Sequence, residues 1–236
     1  MHRPFARVSA NRPLKWLFIC IGLMASCQLL AHGVADGDAA FIESNRGVQF
    51  IPFIYLGAKH MVSGYDHLLF LFGVIFFLYH LKDVGVYVSL FAVGHSVTLL
   101  WGVLNNTQVS PYIVDAIIGL SVVYKGFDNL GGFKKLMGYQ PNTKAAVLIF
   151  GFFHGFGLAT KLQDFTLSED GLVANIIAFN IGVEIGQLLA LSAILILMGY
   201  WRQTPAFQRY AFTSNGILMC LGFMLMGYQL TGYFVN

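Results

Sequence analysis

The sequence predicts an all-α, polytopic membrane helix bundle, with about six transmembrane helices following an N-terminal signal peptide. Three observations carry that expectation. The 236 residues are 57% hydrophobic and only 11% charged, whereas a soluble domain is roughly a quarter charged. Six apolar segments, at about 64–81, 84–104, 110–128, 144–161, 171–200 and 212–235, are separated by short loops, and most are long enough to cross a hydrocarbon layer of roughly 30 Å. Arg3, Arg7, Arg12 and Lys15 crowd the start of the chain, which points to a targeting signal and away from a nucleic-acid surface.

Residues 1–31 read as that signal: a basic start, an apolar run from Trp16 to Leu30, and a small residue, Ala31, before a polar stretch. Residues 32–56 then form an exported arm and an interfacial segment, because the apolar run from Val48 to Tyr55 is too short to span a bilayer before it meets Lys59 and His60. The transmembrane domain follows over 57–236. Lys82, Lys125, Lys134, Lys135, Lys144, Arg202 and Arg209 fall on one side of the implied topology, and Arg46, Lys59 and Lys161 on the other. The positive-inside rule makes the richer side cytoplasmic and puts the mature N-terminus outside, in a multi-pass protein of the cell inner membrane. Cys20 and Cys27 lie in the signal and Cys220 in the last segment, so no disulfide is expected in the mature chain.

Ionisable and amide groups inside the apolar segments are the informative residues, since each is expensive in hydrocarbon unless paired or hydrated. The stretch Gly57–Leu81 opens with His60, Gly64, Asp66 and His67 before an oily run. This places imidazole and carboxylate at the outer end of the first span. His60 and His67 are seven residues apart, so an unbroken helix holds them within about 20° on one face, with Gly64 between them. Asp66 points about 100° from His67, so all three can share an ion only if the backbone bends near Gly64. Further along, His95 and His154 sit in mid-segment, and Asn180, Glu184 and Gln187 recur at helical spacing in the fifth segment. Asp115 and His80 lie near helix ends and are expected to be solvated. Met219, Met224 and Met226 read as packing residues.

Imidazole suits Ni, Co, Cu and Zn alike, and carboxylates make the site harder, so spacing alone does not choose among these metals. The expected metal ligands are His60, Asp66, His67, His95, His154 and Glu184. No Walker, HExxH or GxSxG pattern is present, so the chain is read as neither an ATP-driven pump nor an enzyme. The alternatives are a membrane haem protein with His95 and His154 as axial ligands and a non-transporting accessory subunit of a metalloenzyme system.

GAKHMVSGYDHLLFL, GHSVTL, GFFHG and FNIGVEIGQ together resemble the HupE/UreJ family, from about Gly57 to the last helix. Members of that family accompany nickel hydrogenases and ureases and are regarded as nickel or cobalt permeases. His60, Asp66 and His67 match its first motif, and Phe153, His154 and Gly155 the start of its second. The typical second motif continues with another His and a nearby Glu, where this chain reads Phe156-Gly157-Leu158-Ala159. This departure resembles a divergent branch, in which Glu184 is the replacement carboxylate. The resemblance implies a nickel or cobalt permease whose partners are the lipid bilayer, the metal ion and a metalloenzyme maturation system, with no nucleic acid involved.

Overall fold

Apolar stretches with no water to bond have one local solution, the α-helix, in which each segment satisfies its own backbone. In the computed structural model the described residues are 47–163 and 170–235, so the expected signal and most of the exported arm lie outside them. The described residues form eight helices and no strand: α1 Phe50–Ser63, α2 Tyr65–Ile75, α3 Leu81–Leu104, α4 Pro111–Asn129, α5 Gly132–Met137, α6 Thr143–Gln163, α7 Leu172–Arg202 and α8 Pro205–Val235. Local chemistry sets several boundaries. Pro111 sits in the first turn of α4, where its missing N–H is not needed. Gly131 and Gly138 bracket the short α5 with φ of 67° and 77°, a left-handed conformation that favours glycine.

Four helices are individually long and apolar enough to cross a membrane: α3 (from Lys82), α6, α7 and α8. Two further traverses differ from the uniform spans expected. The first is not a helix over 64–81 preceded by an interfacial segment. Phe50–Ser63 is itself helical, breaks at Gly64 and continues as α2, giving a discontinuous element of 26 residues, about 39 Å long at 1.5 Å per residue. Short apolar runs on either side of Lys59–Gly64 are thus two halves of one crossing. The other traverse, α4, carries Asp115, Lys125 and Asp128 among its buried residues.

Three helix pairs clasp through glycine. On α1 and α7, Cβ atoms added at Gly182 and Gly186 would lie 2.0 and 2.6 Å from the carbonyl oxygens of Ile54 and Ala58. On α3 and α6, additions at Gly151 and Gly155 would lie 2.6 and 2.2 Å from those of Phe91 and His95. In both pairs residue numbers rise together, so the helices run parallel. The α4–α8 pair is antiparallel, with Gly119 against Met226 and Gly126 against Met219 and Asn215. Backbone contact this close requires a residue without a side chain.

These pairings stack the traverses so that the 105–110 loop, Gly171 and Val235 share a first end, and 76–80, 130–142 and 203–204 share a second. Six of the seven cations expected on one side sit in or beside second-end loops, and Arg209 lies in the first turns of α8. Lys59, expected in an outer loop, is instead within α1. Outward-facing Val93, Val97, Trp101, Ile181, Leu188, Leu189, Ile196 and Phe223 are all exposed, the pattern of a surface meant for lipid.

Asp115 corrects the expectation of a solvated carboxylate. It is 6% exposed, and Lys161 Nζ donates to both its oxygens at 3.0 Å, so a neighbouring helix supplies the partner that makes burial tolerable. Near the second end, Lys125 Nζ donates to Asp128 Oδ2 at 2.6 Å, while Gln140 Nε2 donates to Oδ1. Arg202 donates to the carbonyls of Ile75 and Phe76 at the end of α2, where Ile75 O also accepts from Leu78 N. His80 is exposed as expected.

Candidate functional site

The break at Gly64 creates the site. Gly64 adopts φ −75° and ψ 107°, its N–H donates to His60 O at 3.0 Å, and the chain restarts as α2. A Cβ there would lie 2.7 Å from His67 Nδ1 and 3.0 Å from Asp66 Oδ1, so a side chain would collide with the two groups that fold back over the break. The bend that the sequence required for a shared site is therefore present.

Asp66 Oδ1 accepts from both His67 N and His67 Nδ1, each at 2.9 Å. The carboxylate thereby gives an acceptor to one backbone N–H in the opened first turn of α2. With Nδ1 donating, the lone pair is directed to Nε2, the carboxylate–imidazole arrangement that prepares a histidine for a metal. Other imidazoles gather around this one. The His67 ring centroid is 5.3 Å from that of His60 and 4.8 Å from that of His154. Phe91 bridges to His95, its centroid 4.9 Å from His154 and 6.2 Å from His95. Phe70 packs at 5.7 Å from His154 and Phe179 at 6.0 Å from His60.

All four histidines come from the middle of their traverses, including His60 and His67, which were expected at the outer end of the first span. His154 is 2% and His95 1% exposed. Six of their ring nitrogens, His60 Nε2, His67 Nε2 and both atoms of His95 and of His154, are buried with no protein partner. Native proteins rarely leave so many polar atoms unsatisfied in one place, because each one costs about 1–3 kcal/mol. No group of three His, Cys, Asp or Glu among the described residues already stands in metal-holding geometry; the rings are close to one another without converging on one point.

Glu184 corrects the expected ligand set. It is exposed, flanked on the outer surface by exposed Ile181, Ile185 and Leu188, and does not join the histidines. Gly182 and Gly186 are committed to α1, and the helical rotation that buries Asn180 and Gln187 turns Glu184 outward by about 40–60°. The stripe is split: Asn180 and Gln187 face inward, at 7% and 0% exposure.

Sequence reasoning did not find the aromatic walls, Phe70, Phe91 and Phe179, since phenylalanine is everywhere in such a chain. It also missed the Asp115–Lys161 pair. Lys161 is seven residues beyond His154, hence on the same face of α6, two turns nearer the first end. A cleft of about 330 Å³ lined by Gln108, Val109, Ser110, Pro111, Thr160 and Gln163 lies at that end. A haem between His95 and His154 would need an open slot between α3 and α6. Phe91 touches both rings there, and the two backbones are in contact at Gly155.

The family model described as HupE / UreJ protein matches residues 36–236. No curated protein and no solved structure matches the chain.

Proposed function

The chain belongs to the HupE/UreJ family, and from that membership and the histidine centre we propose that it binds a divalent transition-metal cation, nickel or cobalt by family resemblance, and moves it across the cell inner membrane. The observation that carries the proposal is the set of six buried ring nitrogens without a protein partner on four elements around a broken helix. Neutral imidazoles are ligands for Ni and Co, and discontinuous helices with a site near the midplane recur in secondary transporters.

Each group has a role. His67 and His154 are the primary ligands, with His60 and His95 completing the set as the ion moves. Small rotations of rings already 4.8 and 5.3 Å apart would bring their nitrogens onto one ion. Asp66 orients His67 and contributes the negative charge that offsets a dication. The C-terminal carbonyls of α1 at the break favour a cation, and Asp66 offsets the positive end of α2. Phe70, Phe91 and Phe179 exclude lipid and water from the rings. Asp115 neutralises Lys161, whose charge would otherwise repel an approaching cation.

The second end, where the Lys and Arg residues gather, is cytoplasmic by the positive-inside rule, and the mature N-terminus is outside. Movement is passive, ion-coupled or driven by a partner, and a metalloenzyme maturation system is the consumer that the family implies. Elemental analysis of protein purified in mild detergent and dialysed against Ni(II) tests the proposal, beside His67→Ala prepared identically. The parent should retain about one equivalent and the variant far less. Equal retention by both, or none by the parent, would refute it.

A further inference from the structure

Asn180 and Gln187 are unexplained by the histidine centre. Both project inward from α7, seven residues apart, hence within about 20° on one face and about 10 Å apart along the axis. Gln187 is fully buried, yet neither atom of its amide has a protein partner, and Asn180 Nδ2 is likewise unpartnered. Asn180 Oδ1 accepts from Ser96 Oγ of α3 at 3.3 Å, next in sequence to His95, whose two ring nitrogens are also buried without partners. Five polar atoms in this column, three amide and two imidazole, thus lack a close hydrogen-bond partner, while Asn180 stands near enough to His95 to act on it. Beyond Gln187 towards the second end, α7 turns apolar: Leu191 and Met198 join Ile75, Phe76, Val84 and Phe207 in a buried cluster.

We infer that Asn180 and Gln187, with His95 and Ser96, form a second binding station that holds a water-clad divalent transition-metal cation next to the histidine centre, on the side closed by that apolar cluster. The inference rests on the metal reading of the centre given above. The donor set fixes the state of the ion. The column has no carboxylate, because Glu184 is turned outward, so it cannot offset the charge of a stripped dication. Amides and a hydroxyl both donate and accept, so they can exchange hydrogen bonds with the waters of a hydration shell. His95 alone supplies a direct ligand, and it lies between the centre, through Phe91, and the amides, through Ser96. The centre would hold the ion tightly; the station would hold it loosely enough to release it once the apolar cluster parts.

The test uses the full chain, with Ni(II) as the probe. Gln187→Met nearly conserves volume and replaces two unpartnered polar atoms with an apolar group, so its metal-free form should unfold at a temperature no lower than the parent's. Asn180→Leu also removes the acceptor of Ser96 Oγ, so its metal-free form should unfold slightly lower while staying folded, and both variants serve the test. Their tight binding of Ni(II) should stay within about twofold of the parent's, while uptake into proteoliposomes falls about tenfold or more. Gln187→Glu supplies the missing charge and should add a second tight equivalent. Uptake at the parental rate in the apolar variants overturns the station, as does an unchanged count of tight equivalents in Gln187→Glu. Loss of tight binding in the apolar variants also overturns it, by placing the amides inside the centre. A parent that binds no Ni(II) sinks the metal reading itself, an outcome visible without any variant.

Discussion

Gly155→Ala is the substitution through which packing and site can be tested together. An added Cβ would stand 2.2 Å from His95 O, 2.2 Å from Thr98 Oγ1 and 2.9 Å from His95 C. Ordinary contact begins near 3.4 Å, so α6 must withdraw from α3 by about 1 Å, and a helix backbone cannot give as a side-chain tip can. Thr98 Oγ1 also donates to Phe152 O at 2.8 Å, a bond across the same seam that the withdrawal would stretch. Overpacking of this kind costs about 1–3 kcal/mol. Thermal unfolding in detergent should show a Tm lower by several degrees. His154 moves with its neighbour, so the 4.8 Å spacing to His67 opens, and Ni(II) should bind about tenfold more weakly by equilibrium dialysis. Gly216→Ala and Gly227→Ala are the controls. A Cβ on either meets nothing within 4 Å, and alanine is the better helix former by about 1 kcal/mol, so stability should hold or rise with binding unchanged. A Gly155→Ala protein as stable and as tight-binding as its parent would refute the reasoning.

Asp115→Asn leaves Lys161 without its charge partner, and breaking a buried pair costs about 3–5 kcal/mol. The variant should unfold at a markedly lower temperature, and Asp115→Asn with Lys161→Met should recover most of the loss. Glu184→Gln should match the parent in insertion, stability and Ni(II) binding, because the side chain is exposed on α7; a binding defect would return Glu184 to the site. Ni(II) uptake should fall on acidification, since each ligating imidazole must be free of its proton, and initial rates in proteoliposomes across a pH series would show the trend.

Membrane character was legible because composition and segment length answer to the bilayer alone. The bend at Gly64 could be argued from angles, since Asp66 and His67 cannot share an ion on a straight helix. The first half of that traverse was hidden for the same reason. A broken helix divides its apolar signal into two short runs, and Lys59, His60 and Ser63 between them look like a membrane edge when read along the chain. Glu184 misled because Asn180, Glu184 and Gln187 fall within a sector of about 60°, and periodicity cannot tell where in such a sector the bundle surface runs; Gly182 and Gly186, pressed onto α1, decide it. Asp115 was misplaced because its partner, Lys161, is 46 residues away, and local sequence carries no trace of such a pairing.

The central claim is that a divalent cation is held by the histidines around the broken helix. X-ray absorption at the nickel edge on Ni(II)-loaded protein, beside a His67→Ala/His154→Ala double variant, tests it most directly. The parent should show the outer-shell scattering of at least two imidazole rings, and the variant should lose it together with most of its bound metal. A parental spectrum of oxygen ligands alone, unchanged in the double variant, would contradict the account.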